Sequence, residues 1–292
     1  MATTTSSNAA ENIIENLRHS LAIPVLPHRC GLLQDTGIRD PNELCTLLAD
    51  ADIRIVVLTV TAPAADSDPE PDAGYCLTYV IDGDKMAAMA DELWRCRPAD
   101  HPVVVVDVSP ELDEPTVLAV DDPERLAALD AVLAVAADVL TATSSTPLLA
   151  RVASSLPSPA LLPLFSGLVL GYPVVLAPLG SLALGSDPRS AHRLGNCLGL
   201  CDLDLFVFAA SGDSVSAGTG SSRRSRGRRR RRLPPPALAL VSFSTPASLA
   251  DHADVAAALG PIYTAAGSPM LTESGLELTL AITRICLPTV ML

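Results

Sequence analysis

The sequence predicts an α/β fold: a single mixed or mostly parallel sheet flanked by helices, interrupted by one disordered arginine-rich insert. Three observations carry this. Short β-branched apolar segments alternate with longer ones whose apolar residues recur at helical spacing, the pattern of helices laid on a sheet. Four consecutive valines, Val103 to Val106, read as a central strand buried on both faces. Residues 211–236 are first Gly/Ser-rich, then arginine-rich, then run into three prolines, and no packed structure forms from that mixture.

Residues 1–10 are Thr/Ser/Ala-rich and expected to be disordered, with a single α/β domain over 11–292 interrupted by the insert at 211–236. Residues 11–21 place Ile13, Ile14, Leu17 and Leu21 on one helical face, ended by Pro24. A short strand at 31–34 closes on Asp35-Thr36-Gly37, and 41–51 is a helix with proline in its first turn and Asp40 as N-cap. The β-branched runs 53–61 and 75–81, separated by a Pro/Asp loop, suggest paired strands. A helix over 84–96 and the valine strand 103–106 follow.

The longest helix spans 123–140, with Leu126, Leu129, Leu133, Ala136 and Leu140 as its stripe and aspartates capping its start. Residues 160–170 form a buried helix stopped by Gly171-Tyr172-Pro173, then strands follow at 174–177 and 203–209. Beyond the insert come a strand at 237–243, a helix at 246–259 and an alternating strand at 276–287. These last segments are too few for a second core and complete the first sheet.

A chain of 292 residues can bury about three quarters of its extended surface, so core size is not limiting. Hydrophobic residues make up 49% of it but aromatics only 3%, so the core is built from Ala, Val and Leu, and no aromatic-lined ligand groove is read. The net charge of -13 hides an asymmetry, because eight of the twenty basic residues lie between Arg223 and Arg232. The rest carries 12 basic against 33 acidic residues, repels phosphate polyanions, and confines any nucleic-acid contact to that run. Lys85 is the only lysine, so the arginines reflect a compositional bias as much as guanidinium chemistry.

Seven scattered cysteines, an odd number in a chain this large, point to a reducing compartment rather than a disulfide framework. The N-terminus has neither a basic nor an apolar targeting region, so a cytoplasmic or nuclear location is expected. Residues 152–186 carry no charge and 161–184 are long enough to cross a bilayer, but Pro163, Gly171, Pro173, Pro178 and Gly180 break the run, and no membrane span is expected.

Three apolar strands each run into an aspartate, at Asp35, Asp82 and Asp107, with Asp84 two residues beyond the second. Carboxylates gathered at the carboxyl ends of strands could hold Mg²⁺ and serve a catalytic role; the plain alternative is that each is a turn former or helix N-cap. Asp35-Thr36-Gly37 resembles an aspartic peptidase turn, but the second copy that chemistry needs is missing. His192, Cys197 and Cys201 have zinc-like spacing without a fourth ligand, and Cys30 near His28 reads as a core thiol before a nucleophile. Gly212-Asp213-Ser214 lacks a strand-to-helix elbow, and 195–199 lacks the spacing of a phosphate-binding glycine loop. The run from Arg223 to Arg232 suits a nuclear-localisation signal or an RNA-binding arm, and equally a solvated loop; without interleaved aromatics it offers no base stacking.

The ordered features Cys30-Gly31-Leu32-Leu33-Gln34-Asp35, Leu170-Gly171-Tyr172-Pro173-Val174-Val175, Asn196-Cys197-Leu198 and Phe243-Ser244-Thr245-Pro246 resemble the uncharacterised eukaryotic family of the human chromosome 1 open reading frame 74 product. The resemblance covers most of the chain, implies a single domain, and brings no activity with it. Leu176 and Ala177 depart from that family's pattern, where an aromatic residue tends to follow, and the arginine insert is peculiar to this chain.

With no complete catalytic set, the expected function is that of a non-catalytic intracellular protein acting through an interface with a protein partner. A divalent-metal-assisted enzyme acting on a phosphate ester through the strand-end aspartates is the alternative. RNA binding through the arginine run is a third.

Overall fold

The computed structural model describes residues 26, 29–33, 54–61, 74–95, 103–145, 149–154, 161–179, 198, 201–210, 238–266, 270–271 and 277–286. The helices expected at 11–21 and 41–51, the N-terminal segment and the insert lie outside the described residues.

The two β-branched runs pair as expected, and the pairing is antiparallel: β2 (Arg54–Thr61) and β3 (Gly74–Ile81) are in register from Arg54↔Ile81 to Thr61↔Gly74. β1 (Gly31–Leu33) pairs antiparallel with β3, and β6 (Leu149–Ser154) parallel with β2, giving the order β1-β3-β2-β6. β4 (Val104–Asp107) lies between β5 (Thr116–Val117), antiparallel, and β7 (Val174–Ala177), parallel. The third sheet is antiparallel throughout, in the order β10-β11-β8-β9, from β8 (Asp202–Ala210), β9 (Leu238–Pro246), β10 (Met270–Leu271) and β11 (Glu277–Cys286).

The chain thus combines helices with small sheets, the first of them mixed, but in place of the expected single mixed or mostly parallel sheet three are found among the described residues. The reason lies in the valine strand. Val103 and Val105, with Val175 and Ala177, face one hydrophobic cluster, while Val106 and Val108, with Val174 and Leu176, face another. Period-two alternation between two cores makes β4 and β7 a thin layer covered on both sides. Apolarity marks a segment as a strand, but its lateral neighbour is decided by packing across the chain.

The first cluster is covered by α1 (Gly83–Arg95), α2 (Pro123–Ser145) and α3 (Leu162–Val169). Asp122 caps α2, its Oδ1 accepting from the Glu124 and Arg125 amides at 2.8 and 3.2 Å. Leu129, Leu133 and Ala136 of the expected stripe are buried, joined by Val132, Val135 and Val139, so the apolar face is broader than a narrow seam. Arg125, almost fully buried, donates to Val120 O at 2.7 Å and Val103 O at 3.1 Å, fastening the start of α2 to the start of β4.

α3 ends in a Schellman turn: Gly171 N donates to Leu168 O and Tyr172 N to Gly167 O, with Gly171 at φ 68°. Its Gly167 lets β7 approach, since a Cβ there would lie 2.6 Å from Val175 Cγ1. No helix among the described residues is long and apolar enough to cross a membrane.

The second cluster packs β8, β9 and β11 with α4 (Ala253–Ala265). The helix expected at 246–259 is displaced: Pro246 is extended, a 3-10 turn covers Ala247–Leu249, and α4 runs past Gly260 to include Pro261. Burial of Ile262 and the contact of Tyr263 with Phe206 hold the last turn in place, although proline lacks an amide to donate. β8 and β9 pair from Leu203↔Pro246 to Ala210↔Leu238, so the insert connects two neighbouring strands.

Candidate functional site

Asp107 closes β4 and is buried. Its Oδ1 accepts from Ser109 N at 2.9 Å, Ser109 Oγ at 2.5 Å and Leu179 N at 3.0 Å. The carboxylate therefore ties the exit of β4 to the chain just beyond β7. Asp82 follows β3 and caps α1: its Oδ1 accepts from Lys85 N at 3.0 Å, and its own amide donates to Cys30 O at 2.8 Å. Asp84 is exposed in the first turn of α1, where a carboxylate favours the helix dipole. Asp35 lies outside the described residues, and among these no group of three His, Cys, Asp or Glu side chains could hold a metal ion.

His28, Thr36, His192, Cys197, Gly212 to Ser214 and the run from Arg223 to Arg232 lie outside the described residues as well. Cys30 is fully buried and its Sγ donates to Val169 O at 3.4 Å. Burial, with Asp82 nearby, pushes its thiol up to about 12, so it packs as a small hydrophobe and is a poor nucleophile near neutral pH.

Beside it sits a group that sequence reasoning missed. Arg29 is only 2% exposed, its Nη1 donates to Leu170 O at 3.0 Å, and its Nε has no hydrogen-bond partner among the described residues. Burial pulls the guanidinium down to about 10, opposed by Tyr172 and Cys30. The Arg29–Cys30 pair clasps the end of α3, for Cys30 N also donates to Val169 O at 3.1 Å. Nothing local in the sequence announces a contact spanning 141 residues.

Few as the aromatic residues are, four of them form a continuous row. Tyr172 lies 5.1 Å from Phe243, Phe243 stacks on Phe206 at 4.7 Å, and Tyr263 meets Phe206 edge-on at 5.5 Å. The Tyr172 hydroxyl donates to Ser242 O at 2.9 Å, and Tyr263 is exposed at the other end. Phe206 and Phe243 belong to the second cluster, and Tyr172 packs against it. Asp204 on β8 and Arg284 on β11 are register partners joined by a two-pronged ion pair at 2.9 and 3.1 Å. That pair had a legible signal: each charge occupies the core phase of its strand, in line with Phe206 and Phe208 or with Leu278 and Leu280.

Among the described residues β11 offers a long plain edge. β10 covers only Glu277 and Leu278, so among the described residues no strand lies outside the stretch 279–286. Residues 278–283 contain no charge and no proline, and the pairing of β11 with β8 has no register shift. Such edges are usually blunted by one of these devices. β9, the opposite edge, has a register shift between Ala239 and Val241, opposite Phe208/Ala209 of β8, and ends on Pro246. Thr279, Ala281 and Thr283 face solvent on β11. Comparisons with protein-family models, curated proteins and solved structures found no match for this chain.

Proposed function

We propose that the chain is a non-catalytic α/β protein of the cytoplasm or nucleus that acts through a partner interface, adding an extended segment of a basic partner protein to the outer edge of β11. The observation that carries this is the uncharged, bulge-free stretch 279–283, whose outer edge no strand covers among the described residues. The charge of the body selects the partner, since 33 acidic residues face only 20 basic ones and eight of those fall in the insert. The resemblance to the chromosome 1 open reading frame 74 family is part of this proposal and adds no activity to it.

The metal-assisted phosphate-ester enzyme draws no support from Asp82 or Asp107, each with a carboxylate oxygen that accepts from backbone amides. RNA binding rests on the composition of the run from Arg223 to Arg232 alone.

A photo-cross-linker at Thr279 on β11, with a control at Ala134 on the outer face of α2, tests the interface. Support requires one basic partner captured from position 279 and not from 134, with capture lost in Ala281→Lys while the melting temperature is kept. Equal capture from both positions, or capture insensitive to Ala281→Lys, would contradict it.

A further inference from the structure

We propose that Arg29 anchors an oxyanion site, in which the Nε edge of its guanidinium holds a phosphate or carboxylate group. The inference stands on an imbalance of charge and donors in the interior. A guanidinium has five donors and stays protonated at neutral pH, and buried arginines are ordinarily paired with an acid. Arg29 is 2% exposed, donates from Nη1 to Leu170 O, and leaves Nε without an acceptor among the described residues. Its described polar neighbours are Cys30 and Tyr172, neither of them an anion near neutral pH.

The end of α3 offsets part of the charge, since a helix C-terminus carries roughly half a negative charge. About half a positive charge is left over in a site screened from water, together with an unsatisfied donor. The chain shows on Arg284 what this side of a guanidinium takes: its Nε and Nη2 hold both oxygens of Asp204. An oxyanion placed likewise on Arg29 satisfies both the donor and the charge.

The segment is also built to stay in place. Gly171 packs directly on the Arg29 backbone, and Cys30 is bonded through its N–H to Val169 and through its carbonyl to Asp82. A bound ion would therefore meet a fixed fork, and its enclosure would make the local backbone report on binding.

The test uses the full-length protein, melted in chloride, inorganic phosphate and acetate at matched ionic strength, as wild type and as Arg29→Lys, which keeps the charge and removes the fork. The melting temperature of the wild type is expected to rise by roughly 5 °C at 100 times the dissociation constant. A rise in phosphate alone assigns a phosphate-bearing ligand, a rise in acetate alone a carboxylate, and either supports the site if Arg29→Lys loses most of it. Should Arg29→Lys fail to fold, hydrogen exchange on the wild type decides, with slowing expected at Cys30, Gly31 and Tyr172. No rise in either oxyanion, an equal rise in Arg29→Lys, or slowing only elsewhere would overturn the proposal.

Discussion

Gly171 and Arg29 are packed backbone to backbone: a Cβ on Gly171 would lie 2.5 Å from Arg29 N and 2.6 Å from Arg29 Cα. Gly171 also holds φ at 68°, so two independent constraints exclude a side chain there. Gly171→Ala is expected to cost at least about 2 kcal/mol, from left-handed strain of roughly 1–2 kcal/mol plus displacement of the clasp. Urea unfolding measures this; a loss under roughly 0.5 kcal/mol would mean that Arg29 moves away freely.

Asp107→Ala removes the acceptor of three hydrogen bonds and leaves the Ser109 and Leu179 amides without it. A loss of roughly 2–4 kcal/mol is expected in denaturant, with the transition still cooperative. A neutral result would show that the link between the exits of β4 and β7 is dispensable.

Mg²⁺ and Mn²⁺ are expected to leave the melting temperature unchanged, because Asp82 caps α1 and Asp107 pins a turn. A bound ion at 100 times its dissociation constant would stabilise by about 2.7 kcal/mol. A rise lost on Asp82→Asn would instead support the enzyme reading built on Asp35, Asp82, Asp84 and Asp107.

The Cys30 thiol ionises near 9.0 when free and is pushed up to about 12 by burial. A raised folded value means that its contribution is complete below pH 9 and is lost as the pH climbs towards 12. Tyr79, raised from 10.0 to about 12 by burial, adds in the same direction only above pH 10. Arg29, lowered from 12.5 to about 10, acts with opposite sign and also only above pH 10. Between pH 9 and 10 the wild type should therefore lose about 1 kcal/mol more than Cys30→Ala. Parallel pH profiles of denaturant stability would show that Cys30 is not enclosed in solution.

Deletion of 212–236 is expected to leave the fold intact, since Ala210 and Leu238 on either side are already paired. A shorter connection loses slightly less loop entropy, so the melting temperature should hold or rise by a degree or two. RNA binding that survived the deletion would exclude the arginine run as its seat.

Much of the fold was legible because local rules agreed. The β2–β3 pair, the Asp122 cap, the stop at Gly171 and the alternation of β11 all follow from residue type and period. The lateral order of strands was not, because β4 and β7 are decided by two cores that meet across the chain. The end of α4 was misread for a related reason: Gly260-Pro261 signals a break, and the burial of Ile262 overrides it. At the candidate site, strand-end aspartates look alike as ligands and as caps, and only their hydrogen bonds separate the two. Arg29 was invisible because its contacts lie in a segment more than a hundred residues away.

The most direct test of the central claim is hydrogen exchange on β11 with and without the partner captured from Thr279. Strand addition requires that the outward-pointing amides among 279–283 slow on binding by at least about tenfold while those of α2 stay unchanged. Exchange in β11 that is the same free and bound, with protection elsewhere, would contradict an interface at this edge.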